Sequence, residues 1–257
     1  MNFLTSYEIY ELLFFDKLDI NELKKIISIK VFSKSNLDLK EWVKPNSFGE
    51  LNNSIFFIFC FQTNYHYPGV DEDKITIARQ DVNIIVINGK YLAIGTGKKY
   101  ASDSCIRMKS INFLQNEIFG KFQHKKLELN DSDFKWIYEN FGTIPGIRIV
   151  PLSADDVDSV EAAALNVKGS SFCKKYISNP IKKIKIYIED LSTKVTFSEN
   201  ITTINKKTFT IKEDISVLEF LLDHIFSQTI VKRRSAQLHL SYIDNNKLVA
   251  KGGDKDR

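Results

Sequence analysis

The sequence predicts an α+β protein of antiparallel β-meanders with packed helices, arranged as two modules. Three observations carry this. Asn88-Gly89 lies between two apolar runs, 82–87 and 91–94, and that dipeptide favours a two-residue type I′ turn, in which both central residues need positive φ. Segments 181–189, 194–198 and 206–211 alternate apolar with polar residues, the period of half-buried strands. Two long segments instead follow the helical period: 103–122, with Ile106, Ile111, Leu114, Ile118 and Phe122, and 215–230, with Leu218, Leu221, Leu222, Ile225 and Phe226.

Taken in order, 3–15 and 20–32 read as helices. The second has Asp19 as N-cap, Glu22 three residues on, and Leu23, Ile26, Ile27 and Val31 along one face. A polar connector spans 33–51, with a short helix expected at 39–43 and Pro45 closing it. The near-continuous apolar run 55–62 suits a central strand. An aromatic and acidic loop follows at 65–73, beginning Tyr65-His66-Tyr67-Pro68-Gly69, and then strands at 74–78, 82–87 and 91–94. After helix 103–122, Asp131 or Ser132 caps a helix through Phe134, Ile137, Tyr138 and Phe141 that Gly142 ends. A strand at 145–152, an acidic, alanine-bearing helix at 155–166 and a linker at 174–180 complete the first part. Beyond the second apolar helix, 236–242 and 247–250 form a hairpin around Asp244-Asn245-Asn246. The domain reading is therefore an N-terminal α+β module at 1–170, a basic hairpin–helix–hairpin module at 175–251, and a frayed tail at 252–257. Each half holds a β-hairpin followed by an apolar helix, without residue-level similarity between them.

Composition narrows the function classes. With 43% hydrophobic and 26% charged residues the chain is globular rather than disordered. Its three cysteines, Cys60, Cys105 and Cys173, form no CxxC pair, which suits a reducing cytoplasm. The opening residues lack a basic stretch followed by an apolar one, so no secretory leader is expected. The longest apolar run surrounds Cys60 and falls well short of the ~20 residues of a membrane helix, so no membrane partner is expected. Abundant Lys, Ile and Asn fit AT-rich coding, and a bacterial phage-defence or mobile-element setting is the background expectation for such a chain.

Charge is unevenly shared. From Lys174 onward there are 16 Lys and Arg against 10 Asp and Glu, whereas residues 1–173 hold 20 against 22. A basic C-terminal part points to a polyanion. Its clearest cluster is Lys232-Arg233-Arg234, at the end of the apolar helix, where the same residues would also complement the helix dipole. Lys182, Lys183 and Lys185, with Lys174 and Lys175, could share its face. Lys98 and Lys99, with Arg107 and Lys109, form a second basic group beside the loop Gly95-Thr96-Gly97. That loop is not a P-loop: Leu92 stands where the first glycine is needed, and Lys99 replaces the Ser or Thr. Nor is it a dinucleotide fingerprint, since Tyr100 occupies the third glycine position.

Catalytic motifs are thin. Glu72-Asp73-Lys74 has the spacing of the E-x-K half of a PD-(D/E)xK nuclease site, without an upstream acid at suitable spacing. The four histidines, His66, His124, His224 and His239, form no ligand motif, although His224 and His239 could meet in the fold. The rings of Tyr65, His66 and Tyr67 could stack on a base or an aromatic partner. No cofactor or metal is implied. The leading expectation is a non-catalytic nucleic-acid-binding accessory protein. The alternatives are an adaptor docking a larger protein partner and a divergent metal-dependent nuclease using Glu72, Asp73 and Lys74.

Overall fold

The computed structural model describes residues 3–13, 20–30, 41–66, 75–97, 104–120, 122–151, 158–206 and 210–228. The fold class is the one expected, an α+β protein built on antiparallel meanders. The chain divides into two compact units, Met1–Val217 and Leu218–Arg257.

The first unit is organised by one 12-stranded sheet, all of whose pairings are antiparallel. Its strands are β1 (Phe3–Leu13), β2 (Glu41–Val43), β3 (Gly49–Leu51), β4 (Ser54–His66), β5 (Ile75–Ile87), β6 (Tyr91–Gly97), β7 (Gln123–Lys126), β8 (Gly146–Ile149), β9 (Val160–Ala163), β10 (Ile181–Ile188), β11 (Thr193–Ser198) and β12 (Ile201–Lys206). The order across the sheet is β2-β4-β5-β6-β1-β12-β11-β10-β8-β9, with β3 on β4 and β7 on β1. Strands from both segments of the sequence reading, 1–170 and 175–251, thus contribute to the same sheet.

The helices are α1 (Ile20–Lys30), α2 (Ser104–Phe113, continued by a π-helical turn Leu114–Ile118), α3 (Asp131–Asn140), α4 (Ser171–Tyr176) and α5 (Ile211–Leu221). One core cluster joins Ile27 of α1 and Ile106, Ile111 and Phe113 of α2 to Tyr10, Phe57, Phe59, Ile84, Val86 and Ile94 of the sheet. Phe59 and Phe113 stack with centroids 4.3 Å apart. The second unit begins inside α5 and runs into a π-helical turn, Leu222–Phe226, in which Leu222, Ile225 and Phe226 are buried.

The hairpin reading holds: Asn88 and Gly89 have φ of 54° and 61°, and Lys90 N–H donates to the Ile87 carbonyl at 3.0 Å. Other expectations need correction. Residues 3–13 are a strand, not a helix. β1 lies mid-sheet with Tyr7 and Ile9 buried on one face and Tyr10 and Leu12 on the other, so burial on both faces erases the alternating signal. The strands expected at 74–78 and 82–87 are continuous in β5 from Ile75, because the polar interruption Arg79-Gln80-Asp81 finds partners inside the sheet. Glu41–Val43 pairs with β4 instead of helping to form a helix. Val160–Ala163, expected in an acidic helix, is an edge strand on β8, where pairing overrides alanine's helix propensity. Lys174–Tyr176 belong to α4, whose N-cap Ser170 accepts from Cys173 N–H, rather than to a linker. The third alternating segment is shifted: β12 is Ile201–Lys206, with Thr202, Ile204 and Lys206 facing inward, and Ile211 opens α5. Asn130, not Asp131, caps α3, in a reciprocal capping box with Asp133. Its C-cap is Phe141 in extended conformation, so Gly142 does not supply a left-handed stop. The expected 236–242 and 247–250 hairpin and the 252–257 tail lie outside the described residues.

Two buried polar networks grip β1. Glu8 accepts from Tyr10 Oη at 2.5 Å and pairs with Lys126 Nζ at 2.7 Å and Arg107 Nε at 3.2 Å. On the other face, Tyr7 Oη donates to Asp214 Oδ2 at 2.6 Å, and Lys206 Nζ pairs with the same oxygen at 2.6 Å. The Tyr7 ring lies against the backbone of β6, and a Cβ on Gly95 would come within 2.2 Å of it. Burial raises the Asp214 carboxyl above the usual range, against the pull of Lys206 and of the Tyr7 hydroxyl. Lys206→Met should therefore cost about 3–5 kcal/mol near neutral pH, since it leaves a buried carboxylate without its cation. A carboxyl whose folded pKa lies above its unfolded value stabilises the fold at low pH and loses that contribution as pH rises through the folded value. The penalty should accordingly shrink towards about pH 4, which urea melts across pH would measure; a pH-independent penalty would assign Lys206 to packing alone.

Candidate nucleic-acid interface

β10, β11 and β12 are built by strict alternation. Ile184, Ile186, Ile188, Val195, Phe197 and Ile204 are buried on one face, while Lys183, Lys185, Tyr187, Lys194, Thr196, Ser198, Thr203 and Asn205 keep solvent exposure on the other. The strand registers order this second face into three cross-strand rows. The first runs Glu161, Arg148, Lys183, Ser198, Ile201. The second runs Ala163, Gly146, Lys185, Thr196, Thr203, Ser6. The third runs Tyr187, Lys194, Asn205, Leu4. Lys183 and Lys185 are two residues apart on β10, about 6.6 Å. Lys185 and Lys194 are diagonal neighbours across β10 and β11, about 7–8 Å apart.

The face carries four cations, Arg148, Lys183, Lys185 and Lys194, against Glu161 and, at the end of β10, Glu189. Arg148 is already engaged, with its Nη2 2.6 Å from Glu161 Oε2. That contact holds the Glu161 carboxyl below the usual range, and Lys183 and Lys185 pull it the same way, which places both ammonium groups near it. Among the described residues, no hydrogen bond or ion pair holds Lys183, Lys185 or Lys194.

Of the residues singled out from the sequence, Lys183 and Lys185 therefore share a face. Lys182 is exposed at the irregularity where the β8–β10 register shifts between Ile181 and Lys183. Lys98, Lys99, Lys232, Arg233, Arg234 and His239 lie outside the described residues, as do Glu72, Asp73 and Lys74. Gly95-Thr96-Gly97 is not a loop but the end of β6, paired with Tyr7, Ser6 and Thr5. Arg107, expected in a basic group beside it, is buried against Glu8. Tyr65 and His66, expected to open the 65–73 loop, instead end β4, paired with Thr76 and Ile75, and the rest of that loop lies outside the described residues. His124 sits edge-on to the rings of Tyr10 and Phe122, and His224 stacks on Phe220 of its own helix. Among the described residues no group of three His, Cys, Asp or Glu could hold a metal ion, and no helix is long and apolar enough to cross a membrane. The excess of positive charge counted from Lys174 lies mostly beyond residue 228, since the described residues there hold eight Lys against seven acids. What the fold adds is placement: it gathers Arg148, Lys194, Tyr187 and Asn205, which the charge count did not single out, beside Lys183 and Lys185. The signal for them was the period-two pattern of each strand.

A second polar cluster joins β4, β5 and the residue after β2. Asp81 pairs with Arg79 Nε at 2.7 Å and Lys44 Nζ at 3.0 Å, and Cys60 Sγ donates to Asp81 Oδ1 at 3.3 Å. Burial, then the Asp81 carboxylate, pushes the Cys60 thiol up to about 12, so it is protonated and a poor nucleophile. No protein-family model matches this chain, and no curated protein sequence matches it either.

A thiol reagent applied to the native protein near pH 8 should consume one equivalent quickly, at exposed Cys105, with buried Cys60 and Cys173 reacting only on unfolding. Rapid loss of that first equivalent's selectivity, with Cys60 labelled at the Cys105 rate, would show that Cys60 is reactive after all.

Proposed function

We propose that this chain is a non-catalytic nucleic-acid-binding protein of the cytoplasm that acts as an accessory subunit, holding the polyanion through the solvent face of β10–β12. The observation that carries this reading is the disposition of Lys183, Lys185 and Lys194. They lie within strand spacing of one another, unpaired among the described residues, on a face whose remaining side chains are mostly hydroxyls, an amide and one phenol ring. Ammonium groups on such a surface exchange condensed counterions of the phosphate backbone for themselves, which drives sequence-independent binding. Thr196 supplies a hydroxyl donor suited to phosphate and sugar oxygens, beside Ser198, which donates to the Ile201 carbonyl, and Thr203, which bonds Ser6. Lys182, Lys98, Lys99 and the Lys232-Arg233-Arg234 cluster extend the reading as further phosphate contacts. Three free cysteines support the reducing compartment. A protonated Cys60 and structurally engaged histidines support binding rather than turnover.

Replacing Lys183, Lys185 and Lys194 together with Gln should weaken nucleic-acid binding and reduce the slope of log affinity against log salt by about 2–3. The melting temperature should hardly move, because the three side chains lie on the solvent face. Fluorescence anisotropy of labelled oligonucleotides between about 50 and about 200 mM salt measures this. An unchanged slope in the triple variant would overturn the proposal.

A further inference from the structure

One end of the basic face opens into a hollow of about 570 Å³, lined by Thr143, Leu165, Tyr187, Glu189, Lys194 and Asn205 among others. Three of these, Tyr187, Lys194 and Asn205, form the third cross-strand row of the face, so the hollow and the lysines belong to one surface. We propose that this hollow receives an unpaired nucleobase, and hence that the ligand of the face is a single strand rather than a duplex; this rests on the nucleic-acid reading given above.

The volume lies within the roughly 300–1,000 Å³ of small-molecule sites. The wall offers a base a ring, an apolar flank and hydrogen-bonding groups, beside Lys194 and the Asp214-paired Lys206. Tyr187 supplies an aromatic surface for stacking, which every base accepts on its π-face. Leu165, 92% exposed, supplies an apolar flank. The Asn205 carboxamide offers both a donor and an acceptor to a base edge. Glu189, whose Oε1 accepts from Thr143 Oγ1 at 3.4 Å, sets a carboxylate at the rim. A carboxylate repels phosphate but accepts from an exocyclic amino group, so cytosine and adenine should be preferred over thymine, which lacks one. Lys194 lines the hollow, and Lys185 and Lys183 lie progressively further along the strands. A single strand can therefore run its backbone over the lysines while one base turns into the hollow. A duplex, with its bases paired and stacked, could offer the same surface only phosphates.

The test compares short oligo(dC), oligo(dA) and oligo(dT) with a duplex of equal length, by anisotropy on the full chain. Single strands should bind more tightly than the duplex, with oligo(dC) and oligo(dA) ahead of oligo(dT). Tyr187→Leu should weaken single-strand binding roughly 10- to 100-fold and leave duplex binding unchanged, whereas Tyr187→Phe, which keeps the ring, should bind like the parent. Glu189→Gln should narrow the gap between oligo(dC) and oligo(dT). Unchanged melting temperatures establish that each variant is folded, and Asn205→Ala serves as a second probe of the hollow should Tyr187→Leu melt early. Equal affinity for single strands and duplex, or single-strand binding indifferent to Tyr187→Leu and Asn205→Ala, would overturn the base hollow while leaving the basic face standing. Binding that ignores the lysine-to-glutamine triple variant would instead remove the basic face, and the base hollow with it.

Discussion

Everything in the first unit hangs on β1, a strand buried on both faces and paired along both edges. It joins β6 on one side and β12 and β7 on the other, so it stands between the two meanders in the strand order of the sheet. A strand in that position would be expected to be uniformly apolar. β1 instead carries Thr5, Ser6, Glu8 and Glu11 at or below 9% exposure. Each buried polar group needs a partner, and beside Tyr10 of β1 itself, partners come from elements far away in sequence. Glu8 draws in Arg107 from α2 and Lys126 from β7; Tyr7 draws in Asp214 from the first turn of α5. The cost of burying these groups becomes positional specificity, because only one placement of α2 and α5 satisfies them.

This also explains which parts of the fold were legible in the sequence. The Asn88-Gly89 turn, the apolar run of β4, the helical stripes of α2 and α5, and the alternation of β10 and β11 all follow from local rules. The missed strands share one cause. β1, β2, β9 and the continuous β5 take their structure from pairing partners, and pairing is invisible in a local window. The site behaved in the same way. Lys183 and Lys185 were singled out because lysines cluster in sequence, while Arg148 and Lys194 reach the same face only through the registers β8–β10 and β10–β11. Arg107 shows the converse: near other cations in sequence, it is spent on Glu8 inside the protein. Charge counting finds how many cations a segment has; only topology says which of them face water.

The two meanders are related to one another about β1. β4-β5-β6 followed by α2, and β10-β11-β12 followed by α5, lie on opposite sides of β1, each helix ending in a π-helical turn. β6 and β12 are both antiparallel to β1, hence parallel to one another. A half-turn about the direction of β1 therefore carries the first meander onto the second, preserving strand direction and exchanging the faces of the sheet. The helices obey this: α2 reaches Glu8 on one face of β1, and α5 reaches Tyr7 on the other.

Under that operation, the face of the second meander opposite α5 corresponds to the face of the first opposite α2. The two correspond in position but not in chemistry. In the first meander that face presents Phe56, Ile85, Ile87 and Ala93, all buried, and further along β4 and β5 the exposed but mutually paired Arg79, Asp81 and Lys44. In the second it presents lysines, hydroxyls, Tyr187 and Asn205, all retaining solvent exposure. Strand order and direction correspond, so the difference in chemistry lies in the side chains at the outward positions of β10, β11 and β12. Fold stability requires only that these positions be polar, which Thr and Ser satisfy at lower side-chain entropy cost than Lys. Three lysines and an aromatic ring at strand spacing exceed that requirement, and like charges at neighbouring sites oppose one another in the free protein. A polyanion laid across the face relieves that repulsion, which is the physical reason for reading it as a binding surface.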